Sequence, residues 1–364
     1  MTVGIVGAGQ LGRMLALAGY PLGLDFLFLD KEAGTPAAQL APQLTGSFTD
    51  PALLAELARR CEVVTFDWEN VSVDALSRIA AATRIAPPLA ALATAQDRWA
   101  EKRLFKQLGI PTNAAAPVES LAELTTAVER IGLPGVAKTR RLGYDGKGQC
   151  VLRQPGDVAL AWEQLGGQGL LYEAFVPFDY EVSLIGVRSS TGEIATYPLN
   201  RNLHRDGILR LTRAPWHAPL VETAARRYMR KALTHFDYVG VLTIEFFVRR
   251  GKLIANEMAP RVHNSGHWTI EGAVTSQFEN HLRAILGLPL GDTRALGHSA
   301  MVNLIGDMPP RAGLLSDKSL FLHDYGKTPR PGRKLGHVTL VETTARRRDL
   351  RATALLKRIE SRKI

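Results

Sequence analysis

Glu245 and Glu257 flank an Arg250-Gly251 pair in a segment that reads Val239-Gly240-Val241-Leu242-Thr243-Ile244-Glu245 on one side and Leu253-Ile254-Ala255-Asn256-Glu257 on the other. The flanks are apolar and β-branched and Arg-Gly is a turn signal, so the segment predicts a β-hairpin. A turn centred near Gly251 sets the carboxylates opposite each other on one face, with Cβ atoms about 5 Å apart. Carboxylates that close repel unless a cation lies between them. Hard oxygen donors of this kind suit Mg²⁺, which takes one or two carboxylates and completes its shell with phosphates and water. A register one residue different would leave one carboxylate in solvent. The run from Arg261 through His263 and Asn264 to His267 sets cations and amides directly behind Glu257. It favours the paired arrangement and a site for a metal, phosphates and an anion.

Two glycine-rich loops add to this. Gly7-Ala8-Gly9-Gln10-Leu11-Gly12 follows a strand and opens a helix, with Asp30 ending the next strand. That is the dinucleotide fingerprint. Its physics, glycines that let a phosphate reach backbone N–H groups at a helix N-terminus, fits any phosphorylated ligand and does not require NAD. A tight turn that merely needs glycines is the alternative. The second loop, Lys138 to Gln149, holds Gly143, Tyr144, Asp145, Gly146, Lys147 and Gly148 among its residues. It lacks P-loop spacing, yet glycines with Lys and Arg can close over phosphates. Taken alone it could equally be a basic hairpin. A third stretch, Tyr325 to His337, is a basic loop stiffened by Pro and Gly that could bind anions beside Arg261, His263 and Asn264. His217, His235, His281 and His298 have no ligand spacing, and surface or capping roles are expected for them.

The elements that must carry these residues read as follows. Val3–Val6, Asp25–Asp30 and Cys61–Phe66 are strands separated by helices at 10–19 and 51–60, a βαβαβ pattern that implies a parallel sheet. From about residue 100 the pattern changes to α+β, with antiparallel strands at 134–138, 170–175, 181–187 and 193–198 and a long helix over 220–236. Strands return at 300–304, 318–325 and 336–341 before a basic C-terminal helix whose Ala352, Leu355, Leu356 and Ile359 form an apolar stripe. The division expected is 1–100, 101–180, 181–300 and 301–364.

With 364 residues, 46% of them apolar and 22% charged, the chain has ample material for a globular core. The two cysteines, Cys61 and Cys150, form no metal or disulfide framework, which fits a reducing compartment. No signal peptide or membrane span is expected, since the richest apolar region is broken by Pro21, glycines and Asp25. The net charge of +10 admits nucleic acid or anionic small molecules. No zinc pattern or stacking-aromatic motif accompanies the basic tail, so the small molecules are favoured.

Several long motifs in one order carry a resemblance: Gly7 to Met14, Gln96-Asp97-Arg98 with Glu101-Lys102, Gly143 to Gln149, Asn256 to Thr269, Ser276-Gln277-Phe278 and Lys327 to His337. Over nearly its whole length the chain resembles the ATP-grasp superfamily, and within it the 5-(carboxyamino)imidazole ribonucleotide synthase family. The resemblance implies an α/β and α+β fold: an N-terminal parallel βαβ (pre-ATP-grasp) domain, then central and C-terminal α+β domains that clamp the nucleotide. It implies a cytoplasmic, homodimeric enzyme of purine biosynthesis that uses ATP, Mg²⁺ and bicarbonate to carboxylate 5-aminoimidazole ribonucleotide through carboxyphosphate. No nucleic acid or membrane partner is expected.

By the same resemblance Glu245 and Glu257 hold Mg²⁺, and Arg98, Lys138 and Gly143 to Gln149 contact the ATP phosphates. Glu173, Ala174, Phe175 and Val176 present the backbone that reads adenine, Glu181 the ribose, and His204 and Asn256 join the nucleotide shell. Arg261, His263 and Asn264 hold carboxyphosphate, and Lys327 and Arg333 share that anion or the 5′-phosphate of the ribonucleotide. Asp145 is the implied base, Tyr144 a substrate contact, and Gln10 and Glu69 the groups that touch the imidazole ribonucleotide. Two departures stand out: Arg201 where the family usually has Glu, and Val262 where it usually has Pro. A nicotinamide dehydrogenase would explain the first glycine loop alone, and a formate-dependent glycinamide ribonucleotide transformylase or a biotin carboxylase would leave 261–267 and 327–337 without a role.

Overall fold

The computed structural model describes residues 1–143 and 146–361. Strands Thr2–Val6, Asp25–Asp30, Gln43–Thr45, Val63–Phe66 and Arg84–Ile85 form one parallel sheet, with Thr2–Val6 at its centre between Asp25–Asp30 and Val63–Phe66. Val3, Ile5, Val6, Phe28 and Val63 are fully buried, because helices cover both faces of a parallel sheet. Helix Gln10–Gly19 packs on helix Gln277–Leu286 of the next domain, and Gly19 lets Phe26 and Leu282 close over it.

Strands Ala115–Val118, Leu170–Ala174, Gly135–Thr139 and Gln149–Leu152 form a small antiparallel sheet in that spatial order. Helices Leu121–Ile131 and Asp157–Leu165 bury Leu124, Ala127, Val128, Val158, Ala161 and Leu165 with its strands. Ser120 caps the first of these helices by accepting from Glu123 N–H at 3.2 Å.

The nine-stranded sheet runs Lys252–Ala259, Gly240–Arg249, Tyr180–Arg188, Asn200–Arg205, Ile208–Ala214, His298–Ile305, Lys334–Glu342 and Leu320–Asp324, with Ile194–Thr196 added to Tyr180–Arg188. It is continuous across residue 300. Period-two alternation gives it two characters. Val182, Leu184, Leu242, Ile244 and Phe246 face helix Pro219–His235, while Ile185, Val187, Val241 and Met301 join Trp268, Phe278 and Leu282. Glu181, Ser183 and Glu245 alternate onto this second side, on strands that pair Ser183 with Glu245. Ala300, Val302 and Leu304 bury Ala352, Leu355 and Leu356 of helix Ala345–Glu360, so its apolar stripe is a packing face. Two of its arginines are engaged as well: Arg351 pairs with Glu342 and Asp317, and Arg347 with Glu342.

A short helix, Leu89–Ala95, precedes helix Arg98–Gln107, which Asp97 caps by accepting from Trp99 and Ala100 N–H. The hairpin of Asn200–Arg205 and Ile208–Ala214 carries no strong alternation and was not expected. Among the described residues no helix is long and apolar enough to cross a membrane.

His281 departs from its expected surface role. It is 1% exposed, accepts from Val241 N–H at Nδ1 (3.2 Å), and therefore turns Nε2–H to Thr65 Oγ1 (2.9 Å). One imidazole thus joins the parallel sheet to the large sheet. Substituting His281→Leu keeps the volume but strands a backbone N–H and a hydroxyl. We expect a loss of about 2–4 kcal/mol, read by urea unfolding; a loss below 1 kcal/mol would remove His281 as the interdomain pin.

Candidate active site

The hairpin of Gly240–Arg249 and Lys252–Ala259 pairs Glu245 directly with Glu257. The tight turn pairs Arg249 with Lys252 and Phe246 with Ala255, a register that would place Asn256 opposite Glu245. A β-bulge at that point skips Asn256 and brings Glu257 into place. Each carboxylate has a cationic or imidazole neighbour. Glu257 Oε2 accepts from Arg98 Nη1 at 2.8 Å, and Arg98 Nη2 reaches Gly143 O at 3.4 Å. Glu245 Oε1 lies 3.4 Å from His263 Nε2. Burial pushes Glu245 up to about 7, with Glu257 adding to it against the pull of His204. Burial would also raise Glu257, but Arg98 outweighs it and holds the group below the usual carboxylate range. Among the described residues no group of three or more His, Cys, Asp or Glu could hold a metal ion, so two hard carboxylates alone could take a cation such as Mg²⁺, whose shell phosphates and water would complete.

The nucleotide-side residues meet on one charge cluster. Lys138 and Lys102 both ion-pair with Glu173, Lys102 at 3.2 Å. Burial opposes the charged form of Glu173, yet the two ammonium groups bring it down to about 2. Lys102 also donates to Asn113 Oδ1 (2.9 Å) and Asn256 O (3.2 Å), and Asn113 Nδ2 donates to Ala174 O (2.7 Å). Lys138, expected on phosphates, therefore lies against Glu173. Glu181 Oε2 and His204 Nδ1 are 2.8 Å apart. Val176 is buried, while Phe175 is exposed beyond Ala174. Arg201 lies on the far face, between the rings of Tyr180 and Trp216 at 5.0 and 4.4 Å, so the departure from Glu does not touch this cluster.

In the second glycine-rich loop, Gly146 has φ +76° and sits where a Cβ would be 3.0 Å from Asp206 O. Gly148 O accepts from Thr139 N–H at 2.8 Å, and Gln149 pairs with Lys138. Lys147 is exposed. Tyr144 and Asp145 lie outside the described residues.

The anion run is built on a buried polar network. Asn202 Nδ2 donates to Ser183 Oγ (3.0 Å), which donates to Ser265 Oγ (2.8 Å), which contacts His263 Nδ1 at 2.8 Å. Ser265 N–H also donates to His263 Nδ1 (3.3 Å), so Nε2 carries the hydrogen and faces Glu245. Burial, then Arg261, holds His263 well below its ordinary pKa, so the ring is neutral. Gln277 clamps the His263 backbone from both sides, at 3.0 and 2.7 Å. Arg261 ion-pairs with Glu69 of the first domain, and Lys327 contacts Gln10 Oε1. Arg333 donates to Thr328 O at 3.2 Å and so braces its own loop.

The first glycine loop is not open to phosphate. Ala8 N–H donates to Asp30 Oδ2 (2.7 Å), and Gly9 and Gly12 N–H donate to Asp67 Oδ2 (2.8 and 3.0 Å). A buried carboxylate of the chain occupies the helix N-terminus that a phosphate would need. The phosphate-binding expectation for Gly7–Gly12 is corrected on this ground, and a nicotinamide dehydrogenase loses its one support.

Three domain models match successive segments of the chain. The ATP-grasp domain model matches residues 103–278, the ribonucleotide synthetase preATP-grasp domain model 1–96, and the phosphoribosylaminoimidazole carboxylase C-terminal domain model 299–351. The N5-carboxyaminoimidazole ribonucleotide synthase of Pseudomonas aeruginosa is 51% identical over 93% of this chain and 94% of its own length. The chain belongs to the N5-carboxyaminoimidazole ribonucleotide synthase family of ATP-grasp ligases. The crystal structure of the family's Thermus thermophilus synthetase matches with a TM-score of 0.94 at 50% identity, covering 98% of both chains. The Aspergillus clavatus synthase in complex with ADP and 5-aminoimidazole ribonucleotide matches at 0.91 and 31% identity, covering 99% of this chain and 98% of that one.

Sequence reasoning assigned no role to Lys102, Glu101, Asp67 or Gln277. Glu101 accepts from Met258 N–H at 2.6 Å, next to Glu257, and burial pushes it up to about 8. Glu101, Lys102 and Gln277 fall within the motifs that carry the resemblance, whereas nothing in its spacing marks Asp67, whose partners lie far along the chain.

Asp67 yields a pH test. Burial, with Asp30 adding to it, pushes its carboxyl up to about 6 despite the two N–H donors. An unfolded aspartate ionises near 3.9. Between those values the folded chain keeps a proton that the unfolded chain has lost, so stability falls as pH rises. Relative to Asp67→Asn, the wild type should lose up to about 1.4 kcal/mol per pH unit from about pH 4 to 6 and then level off. Urea unfolding of both proteins from pH 4 to 7 checks this; parallel curves refute it.

Proposed function

We propose that this chain carboxylates 5-aminoimidazole ribonucleotide with bicarbonate, cleaving ATP to ADP and phosphate, and that it acts in the cytoplasm as a homodimer. Residues 1–100 hold the ribonucleotide, 101–180 form the nucleotide lid, 181–300 carry the acidic hairpin, and 301–364 supply the basic loop. The observation that carries the reading is the meeting of three segments: Glu245 and Glu257 beside His263, Arg261 against Glu69, and Lys327 against Gln10. Metal phosphate, anion and ribonucleotide groups thus converge from different domains.

Glu245 and Glu257 would hold Mg²⁺, which when bound neutralises the triphosphate charge and polarises the γ-phosphate. Arg98, Lys138 and the lid glycines bind and close over the phosphates, and Lys102 with Glu173 keeps the lid and the sheet in register. Glu181 and His204 hold the ribose end, and the backbone at Ala174 to Val176 the adenine. A bicarbonate oxygen attacks the γ-phosphorus as the bond to the β-phosphate oxygen breaks, which gives carboxyphosphate and ADP. Arg261, neutral His263 as an Nε2–H donor, and Asn264 hold that anion while it releases CO₂ and phosphate. The exocyclic amine, positioned by Gln10, Glu69, Tyr144, Lys327 and Arg333, captures the carbon and gives up a proton to Asp145. Carboxyphosphate hydrolyses in water, so exclusion of solvent is part of the catalysis.

Glu257→Gln and Lys327→Ala should each lower substrate-dependent ADP release by about 100-fold or more with unchanged thermal unfolding. An assay dependent on both bicarbonate and the ribonucleotide decides; a near-normal rate in either variant contradicts its role. Asp145→Asn should slow carboxylation of the amine more than bicarbonate-dependent ATP cleavage, and equal losses would remove it as the base.

A further inference from the structure

One buried amide beside the anion run is still without a role. Asn303, on strand His298–Ile305, is 2% exposed. Its Nδ2 donates to Asn264 Oδ1 at 2.7 Å and to Leu209 O at 2.8 Å, and its Oδ1 accepts from Asn264 Nδ2 at 3.1 Å. Two side-chain amides therefore form a closed reciprocal pair.

The pair has a direction. A backbone carbonyl can only accept, so Leu209 O dictates which end of the Asn303 amide is nitrogen. With that settled, a reversed Asn264 would set N–H against N–H and oxygen against oxygen. Asn264 is left with one N–H to offer and one lone pair. For an anion only the N–H is useful; an unlocked amide could present its oxygen and repel. Asn303 also comes from the segment matched by the C-terminal domain model, whereas Asn264 lies in the segment matched by the ATP-grasp model.

We propose that Asn303 is a positioning residue for the carboxylation step: through its reciprocal amide pair it locks Asn264 with an N–H, not an oxygen, available to bicarbonate and carboxyphosphate. The inference rests on the reading of Arg261, His263 and Asn264 as the anion site. Asn303 itself does not touch the reactants.

The test is a double-mutant cycle on the full-length protein, read as KM for bicarbonate, KM for ATP, and ADP formed per ribonucleotide carboxylated. Asn303→Ala and Asn303→Asp should each raise the bicarbonate KM about tenfold and loosen coupling, while the ATP KM moves less than about twofold. In an Asn264→Ala background the same substitutions should change the bicarbonate KM by less than about twofold, because the amide they act through is gone. Asn303→Asp keeps the side chain's size and covers the case of an alanine variant that does not fold. Full additivity with Asn264→Ala, or equal shifts in both KM values, overturns the inference while leaving the proposed function intact. A wild-type chain without bicarbonate-dependent ADP release overturns both.

Discussion

Glu245 and Glu257 face each other across a two-stranded ribbon, and much of the surrounding structure serves to keep that repulsive pair in place. The Asn256 bulge makes the pairing, since the turn at Arg250-Gly251 would otherwise set an amide against Glu245. Arg98 then neutralises Glu257 and reaches the lid at Gly143, so the helix that follows the first domain, the sheet and the lid meet at one guanidinium. Lys102 repeats the device one step away, bridging the bulge carbonyl and Glu173. Buried charges without such partners would cost several kcal/mol each. The same compensation leaves a cluster of fixed, paired charges around the hairpin.

The second organising feature is the divided character of the large sheet. One face is apolar and packs on helix Pro219–His235, while the other carries serines, asparagines and histidines at its centre. Ser183, Asn200, Asn202 and Asn303 bond to one another or to residues 263–277, while Ser299 Oγ and His337 Nε2 are buried without a hydrogen-bond partner among the described residues. The chain from Asn202 through Ser183 and Ser265 sets the tautomer of His263, and Gln277 holds its backbone. The groups of this region are held in fixed directions, the preorganisation that electrostatic stabilisation of a bound anion would demand. Contacts of Arg261 with Glu69 and of Lys327 with Gln10 extend the arrangement into the first domain.

Legibility varied with the range of the interaction. The acidic hairpin, the parallel sheet and the long helix could be read because period-two and period-3.6 patterns are local. The Gly7–Gly12 loop was misread because its occupant, Asp67, lies 55 to 60 residues downstream, just past the end of another strand, and carries no motif. His281 has an unremarkable sequence neighbourhood, yet two domains meet on its ring. The Asn200–Ala214 hairpin escaped notice because Asn200, Asn202 and Thr212 are among its buried residues, with Thr212 bonded to Asn202, so the hydrophobic alternation is broken where the fold needs a polar face.

Element order, the acidic pair, the basic loop and the family resemblance followed from residue types at short spacing, because turn chemistry, strand period and motif order are properties of the chain itself. Tertiary structure alone decided which glycine loop is already filled, which tautomer His263 holds and which cations sit on which acids. Each of these depends on burial and on partners remote in sequence. Desolvation and hydrogen-bond direction act only once the sheets have brought those partners together.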